Sequence, residues 1–98
     1  MSVNDLAKHC EKAWSQYAEK HGIKRNDPFY LFKLQEELGE LTRTYLELHG
    51  NEHAKKSSED LKRKLEGDCA SVIGNALILA LHFGVDIEKT IKEKFPLA

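Results

Sequence analysis

The chain has 98 residues, which is enough for one small domain over residues 1–98 and too few for two independent hydrophobic cores. Charged residues make up 32% and hydrophobic residues 41%, a balance typical of a folded soluble protein. The formal net charge of −1 does not favour a nucleic-acid partner, because such proteins usually carry a basic surplus. Cys10 and Cys69 are too few for a disulfide framework, so we expect reduced thiols and a cytoplasmic location.

No membrane partner is expected either. The longest strongly apolar run, from Cys69 to Leu81, is too short to cross a bilayer, which takes about 20 residues. The N-terminus carries no signal-like stretch.

The first two helices are predicted from apolar spacing and from residues that favour helix ends. Apolar residues recur every three or four positions from Val3 to Tyr17, which predicts a helix over residues 3–21 that Gly22 ends. A second helix is predicted to start with Asp27 as its N-cap and Pro28 at its first position. It carries a heptad-like seam and is expected to end near residues 49–51; the seam consists of Leu31, Leu34, Leu38, Leu41, Tyr45 and Leu48.

Two further helices follow a polar connection at residues 50–57. Ser57 or Ser58 is expected to cap the third helix, which runs to about Phe83 and is ended by Gly84. Asp86 is expected to cap a short fourth helix that Pro96 ends. No strand-like alternation occurs, so the sequence predicts an all-α, four-helix bundle-like domain.

The third helix predicts self-association. One of its faces alternates apolar residues with Asp68, Asn75 and His82, and its other faces are also apolar from Cys69 onward. A helix that is apolar all round is normally buried on every side. Because three other helices of a 98-residue chain can hardly enclose it, we expect a homo-oligomer, a dimer or a tetramer, with this helix at its centre.

Two acidic clusters lie within these helices, at residues 36–40 and 66–68. Glu37 and Glu40 are three positions apart and share a helix face, while Asp68 takes a position between Leu65 and Val72 where an apolar residue is expected. Carboxylates near a core need a partner, and the prediction is that no matching Lys or Arg shares their stripe, so a divalent cation is the simplest one. A solvated helix face for the glutamates and an interface hydrogen bond for Asp68 are the alternatives.

Other residues are candidates for binding a substrate. Asn75 lies about 10 Å along the helix from Asp68, too far to share an ion but well placed to hydrogen-bond a substrate or bridge helices. Trp14 could stack on a base, although aromatic residues at helical spacing more often belong to a core. Lys33 is a further candidate. Three helical glycines precede polar residues, and either ligand approach or tight helix packing would explain them: Gly39, Gly67 and Gly74.

The spacing of these residues resembles the MazG-like all-α nucleoside triphosphate pyrophosphohydrolases over roughly residues 28–95. The resemblance rests on residues 37–40 (ELGE), residues 67–68 (GD), Asn75 and residues 83–86 (FGVD). It implies cleavage of (d)NTP to (d)NMP and pyrophosphate, in clearance of noncanonical or surplus nucleotides. It also implies Mg²⁺, or Mn²⁺, held by Glu37, Glu40 and Asp68, with Glu37 or Glu40 orienting the attacking water.

The chain departs from the family pattern at one position. Leu65 stands where the family's second motif has its first acid, and Glu66 is displaced by about 100° around the helix. Glu36 and Glu66 are additional candidates for the missing ligand. The alternative function is a non-catalytic helical oligomer whose acidic cleft binds a metal or a nucleotide, or serves assembly alone.

Overall fold

The computed structural model describes residues 1–50 and 57–98, which form four α-helices. The helices are α1 (Val3–His21), α2 (Asp27–Leu48), α3 (Ser58–His82) and α4 (Ile87–Lys94). The described residues contain no strand, which confirms the predicted all-α class. The predicted polar connection at 50–57 falls mostly outside the described residues.

Local capping explains where the helices begin and end. Ser2 and Asp5 form a capping box at the start of α1, and Gly22 ends the helix in the left-handed conformation at φ +65°. Ser57 caps α3 and Asp86 caps α4, as predicted. The predicted cap of α2 was one residue off, because Asn26 accepts the Phe29 amide hydrogen while Asp27 is the first helical residue.

Helix α3 is the central element of the fold, because it packs against each of the other three helices. The contact Asp27–His82 joins the start of α2 to the end of α3, and Thr44, near the end of α2, contacts Asp68 in the middle of α3, so the two helices are antiparallel. Helix α1 packs on another side of α3, and its backbone stays apart from that of α2. A cleft therefore opens between α1 and α2 with α3 as its floor.

The leucine seam predicted for α2 coincides only in part with the buried side of the helix, since Leu34, Leu41 and Leu48 are partly buried. Tyr30 and Thr44 are buried, whereas the seam residues Leu31, Leu38 and Tyr45 are 47%, 51% and 53% exposed. Tyr30 and Thr44 each come one residue before an exposed seam residue, because α3 packs against the side of α2 that carries Tyr30 and Thr44.

Helix α3 is likewise not enclosed by the described chain. Leu61, Leu77 and Ile78 are buried, but Cys69 is exposed and Ile73 is 58% exposed. Three other helices of one chain therefore leave part of α3 exposed, and its full burial in a homo-oligomer remains a prediction.

Among the described residues, no single helix has the length and apolar character needed to cross a membrane. Helices α3 and α4 reach that length and composition only when taken together across a bend of 110°.

Candidate functional site: a cleft beside two acids that share a lysine

A cleft of about 680 Å³ lies between α1, α2 and α3. Its volume falls within the range of about 300–1,000 Å³ that is typical of small-molecule sites. Four residues singled out in the sequence, which come from three different helices, line it together: Trp14, Lys33, Glu37 and Asn75. Glu36 lines it as well, so the fold gathers one part of the predicted site into one place.

Aromatic residues form one wall of the cleft. The Trp14 indole meets the ring of Tyr17 edge-on at 5.2 Å between centroids and that of Phe29 at 5.6 Å. Such edge-to-face contacts favour a fixed ring plane. The Lys33 ammonium lies 5.5 Å from the indole centroid, within cation–π range, so one face of the Trp14 ring is already occupied.

Lys33 is the cation of the cleft. Its ammonium lies 2.9 Å from Glu36 and 3.4 Å from Glu37. Partial burial lowers the pKa of Lys33, but the hydrogen bonds and charges of Glu36 and Glu37 outweigh burial, so the pKa is raised overall. Lys33 therefore stays protonated at neutral pH, and its positive charge is paired with the two glutamates of the cleft.

Asn75 and Gly74 form part of the α3 surface of the cleft. The Asn75 amide donates to the Ser71 carbonyl at 2.7 Å, which holds the side chain along its own helix. A Cβ on Gly74 would lie 3.5 Å from the Cys10 sulfur, an ordinary contact. Nothing lies within 4 Å of a Cβ placed on Gly39 or Gly67, so packing within the described chain does not require these two glycines.

The loop between α1 and α2 is fixed by one ion pair. Arg25 makes two hydrogen bonds to the Glu11 carboxylate, at 2.9 and 2.6 Å, and its guanidinium lies 5.5 Å from the Tyr30 ring centroid. The hydrogen bonds from Arg25 to Glu11 raise the pKa of the guanidinium against the effect of its burial. This bidentate pair ties the loop before α2 to α1.

A second polar group lies between α2 and α3. Asp68 is only 9% exposed, and it accepts a hydrogen bond from the Thr44 hydroxyl at 2.5 Å. The Lys64 ammonium lies 3.2 Å from each Asp68 oxygen and 3.6 Å from a Glu40 oxygen, so it bridges the two carboxylates. We call Glu40 and Asp68 the acid pair. Arg43 approaches Glu40 at 3.8 Å from the solvent side.

The premise that the acidic clusters have no matching Lys or Arg was therefore wrong. Lys33 pairs with Glu37 and Lys64 with Asp68, each four positions earlier on the same helix. Within residues 1–50 and 57–98, no group of three or more His, Cys, Asp or Glu side chains is arranged to hold a metal ion. In this conformation Glu37 faces the cleft, while Glu40 and Asp68 share an ammonium.

The two additional metal candidates lie apart from the acid pair. Glu36 hydrogen-bonds to Lys33 at the cleft. Glu66 is exposed, and its position on α3 is rotated by about 160° from that of Asp68. Glu66 therefore cannot replace the family acid that is missing at Leu65 without a change in the helix.

Two residues that contact Asp68 were not predicted from the sequence. Lys64 could have been found, because i, i+4 pairing with Asp68 is a recognisable helical spacing. Thr44 gave no such signal, since it is 24 residues from Asp68 along the chain.

Comparison with known proteins leaves the family open. No family model, no curated protein and no solved structure matches this chain. The resemblance to the MazG-like enzymes therefore rests on its motif residues, and membership of that family stays a prediction.

Proposed function

We propose that this protein is a MazG-like, Mg²⁺-dependent nucleotide pyrophosphohydrolase that acts in the cytoplasm as a homo-oligomer. The observation that carries the proposal is the cleft, which brings Trp14, Lys33, Glu37 and Asn75 together from three helices. Its (d)NTP substrate would yield (d)NMP and pyrophosphate. Two free cysteines agree with a reducing compartment.

The chemistry of the cleft suits a nucleotide. The aromatic wall at Trp14 offers a surface for a base, with a stacking contribution of about 1–3 kcal/mol. The Lys33 ammonium suits a phosphate, and the Asn75 amide provides both hydrogen-bond donor and acceptor groups. A bound base must displace Lys33 from its place over the indole or use the other face of that ring.

The carboxylates beside the cleft are the proposed metal ligands. Glu37, Glu40 and Asp68 supply the oxygen atoms that Mg²⁺ prefers. Glu40 and Asp68 become available to a cation only when the Lys64 ammonium moves away from them. When bound, the ion would offset phosphate charge and favour deprotonation of the attacking water. Glu37 or Glu40 would orient that water.

A second candidate function has a specific observation in its favour. Lys64 already neutralises Glu40 and Asp68, and Leu65 provides no acid where the family pattern has one. This arrangement favours a protein that binds a nucleotide in its cleft without hydrolysing it. The acid pair would then serve to hold α2 against α3.

A turnover assay separates the two candidates. Purified protein is incubated with canonical and modified (d)NTPs and Mg²⁺, and monophosphate and pyrophosphate are quantified. The enzyme proposal expects equal amounts of both products, and a loss of at least about 100-fold in kcat for Glu37→Gln, the lower range for removing a general base. Glu19→Gln, at an exposed position of α1, is the control and should leave the rate unchanged. Binding without turnover across the panel would favour the second candidate.

Metal binding to the acid pair can be measured independently of turnover. Because Lys64 competes for the same oxygens, Lys64→Met should increase Mn²⁺ affinity, whereas Asp68→Asn should decrease it. Lys12→Met, at an exposed position of α1, controls for the loss of one positive charge. Calorimetric titration with Mn²⁺ gives the affinities. If Asp68→Asn leaves Mn²⁺ binding unchanged, the metal site is placed wrongly.

A further inference from the structure

The Lys33 ammonium occupies a position in the cleft that suits a cation. It lies 5.5 Å from the Trp14 ring centroid, 2.9 Å from a Glu36 oxygen and 3.4 Å from a Glu37 oxygen. The Lys33 side chain is only 22% exposed, so this position is partly shielded from water. A positive charge there is stabilised by the face of an aromatic ring and by two carboxylates at once.

The cleft carries more negative than positive charge. Of the side chains that line it, Lys33 is positive and Glu36 and Glu37 are negative, which gives a net charge of −1 with His9 counted as neutral. A ligand group with one positive charge therefore makes this part of the cleft neutral, whereas an uncharged group leaves the excess negative charge in place.

The place of Lys33 makes the charge of a bound base matter. A base that stacks on this face of Trp14 must take the position of the Lys33 ammonium. A neutral base gives up the cation–π contact, whereas a base with a fixed positive charge restores it and meets the same carboxylates. The displaced ammonium is then free to approach the phosphates. The two kinds of base therefore differ in binding free energy even where they stack equally well.

We propose that the cleft selects nucleotides whose base carries a fixed positive charge, such as an N7-methylated guanine. This inference rests on the proposed nucleotide site and adds the chemical class of the base. Alkylation of a ring nitrogen produces such bases, so they belong to the noncanonical nucleotides that the proposed enzyme would cleave. Glu36 determines the preference, because Glu37 is a proposed metal ligand and Glu36 remains at the cleft wall.

Three guanine nucleotides separate the effect of charge from that of an added methyl group. They are the α,β-methylene analogues of GTP, 7-methyl-GTP and O6-methyl-GTP, which resist the proposed cleavage and so report binding alone. The 7-methyl base is cationic in mildly acidic buffer, whereas the O6-methyl base has the same added methyl group and no charge. Calorimetric titration with Mg²⁺ in that buffer should give about tenfold higher affinity for the 7-methyl analogue than for the other two. This ratio corresponds to about 1.4 kcal/mol, within the range of a cation–π contact.

The variant Glu36→Gln tests the contribution of the carboxylate. It should lower the preference for the 7-methyl analogue by about threefold, as is typical of one exposed ion pair, since the Glu36 side chain is 65% exposed. Glu19→Gln, at an exposed position of α1 that does not line the cleft, is the matched control and should keep the full preference.

The outcomes distinguish this inference from the proposed function. Equal affinities for the GTP and 7-methyl-GTP analogues would overturn the inference and leave the nucleotide site in place. The same holds if the O6-methyl analogue binds as tightly as the 7-methyl one, because the methyl group and not the charge is then recognised. A preference that Glu36→Gln leaves unchanged would overturn the role of Glu36. If none of the three analogues binds, the proposed nucleotide site fails as well.

Discussion

Replacing Thr44 by valine isolates the hydrogen bond that the buried Asp68 receives from its side chain. The Thr44 hydroxyl lies 2.5 Å from an Asp68 oxygen, and Thr44 is 1% exposed. Valine keeps the branched shape and removes only the hydroxyl, so no large cavity forms. A hydrogen bond to a charged group contributes about 1.5–3 kcal/mol. We therefore expect Thr44→Val to reduce the free energy of unfolding by about 2 kcal/mol.

The same helix offers a matched control. The Thr42 hydroxyl donates to the Leu38 carbonyl, and the Thr44 oxygen lies 3.2 Å from the equivalent Glu40 carbonyl, but Thr42 is exposed and bonds to no side chain in the described structure. Thr42→Val should change the free energy of unfolding by no more than about 0.5 kcal/mol, as is usual at the surface.

Urea unfolding followed by circular dichroism, at one fixed protein concentration, compares the two variants. For a domain of this size, the expected loss for Thr44→Val corresponds to a Tm lower by roughly 8–16 °C. Equal stabilities of Thr44→Val and Thr42→Val would refute the reasoning, because the Asp68 contact would then contribute nothing.

Three further predictions concern the loop, the last helix and the cleft. Arg25→Lys keeps the charge but loses one of the two hydrogen bonds to Glu11, so stability in urea should fall by about 1 kcal/mol; no change would show that the bidentate geometry is unimportant. The hydrogen bond from Asn4, followed by that from the Lys89 amide, lowers the pKa of Asp86 below its usual value of 3.8. The contribution of these bonds to the free energy of unfolding is therefore present above pH 3.8 and is lost as the pH falls through the lower pKa of the folded protein. Protection factors of the α4 amides, which are exchange rates corrected for the intrinsic effect of pH, should fall in that acid window, and Asn4→Ala should weaken this pH dependence; an unchanged profile would contradict the linkage. Trp14→Ala should weaken nucleotide binding by about 5- to 150-fold in calorimetric titration, since stacking contributes about 1–3 kcal/mol; unchanged affinity would place the base elsewhere.

The helix ends were predictable because their signals are local. Gly22 in the left-handed conformation, Ser57 as a cap and Asp86 as a cap each depend on residues within a few positions. At the start of α2, Asn26 and Asp27 are adjacent and both suit a cap, so composition could not separate them.

The orientation of α2 was not predictable from its leucines. The helix buries the line through Tyr30 and Thr44, while Leu38 is half exposed. The side of an amphipathic helix that faces its own chain depends on the partner helices, and a surface prepared for a second copy gives the same apolar pattern.

Part of the candidate site was predictable from the sequence. Trp14, Lys33 and Asn75 meet at one cleft, although their helices are far apart in sequence. Lys64 could have been predicted as the partner of Asp68, because the two residues form an i, i+4 pair on α3. Thr44 became apparent only from the way α2 packs on α3.

The central claim is that the cleft binds a nucleotide, and the single tryptophan makes the most direct test possible. Trp14 lines the cleft, so its fluorescence reports ligand binding without any label. Titration with (d)NTPs should change the emission to a saturating level, and Lys33→Ala should shift the midpoint to higher nucleotide concentration. Emission that stays constant across the whole panel, with the protein folded, would contradict the account.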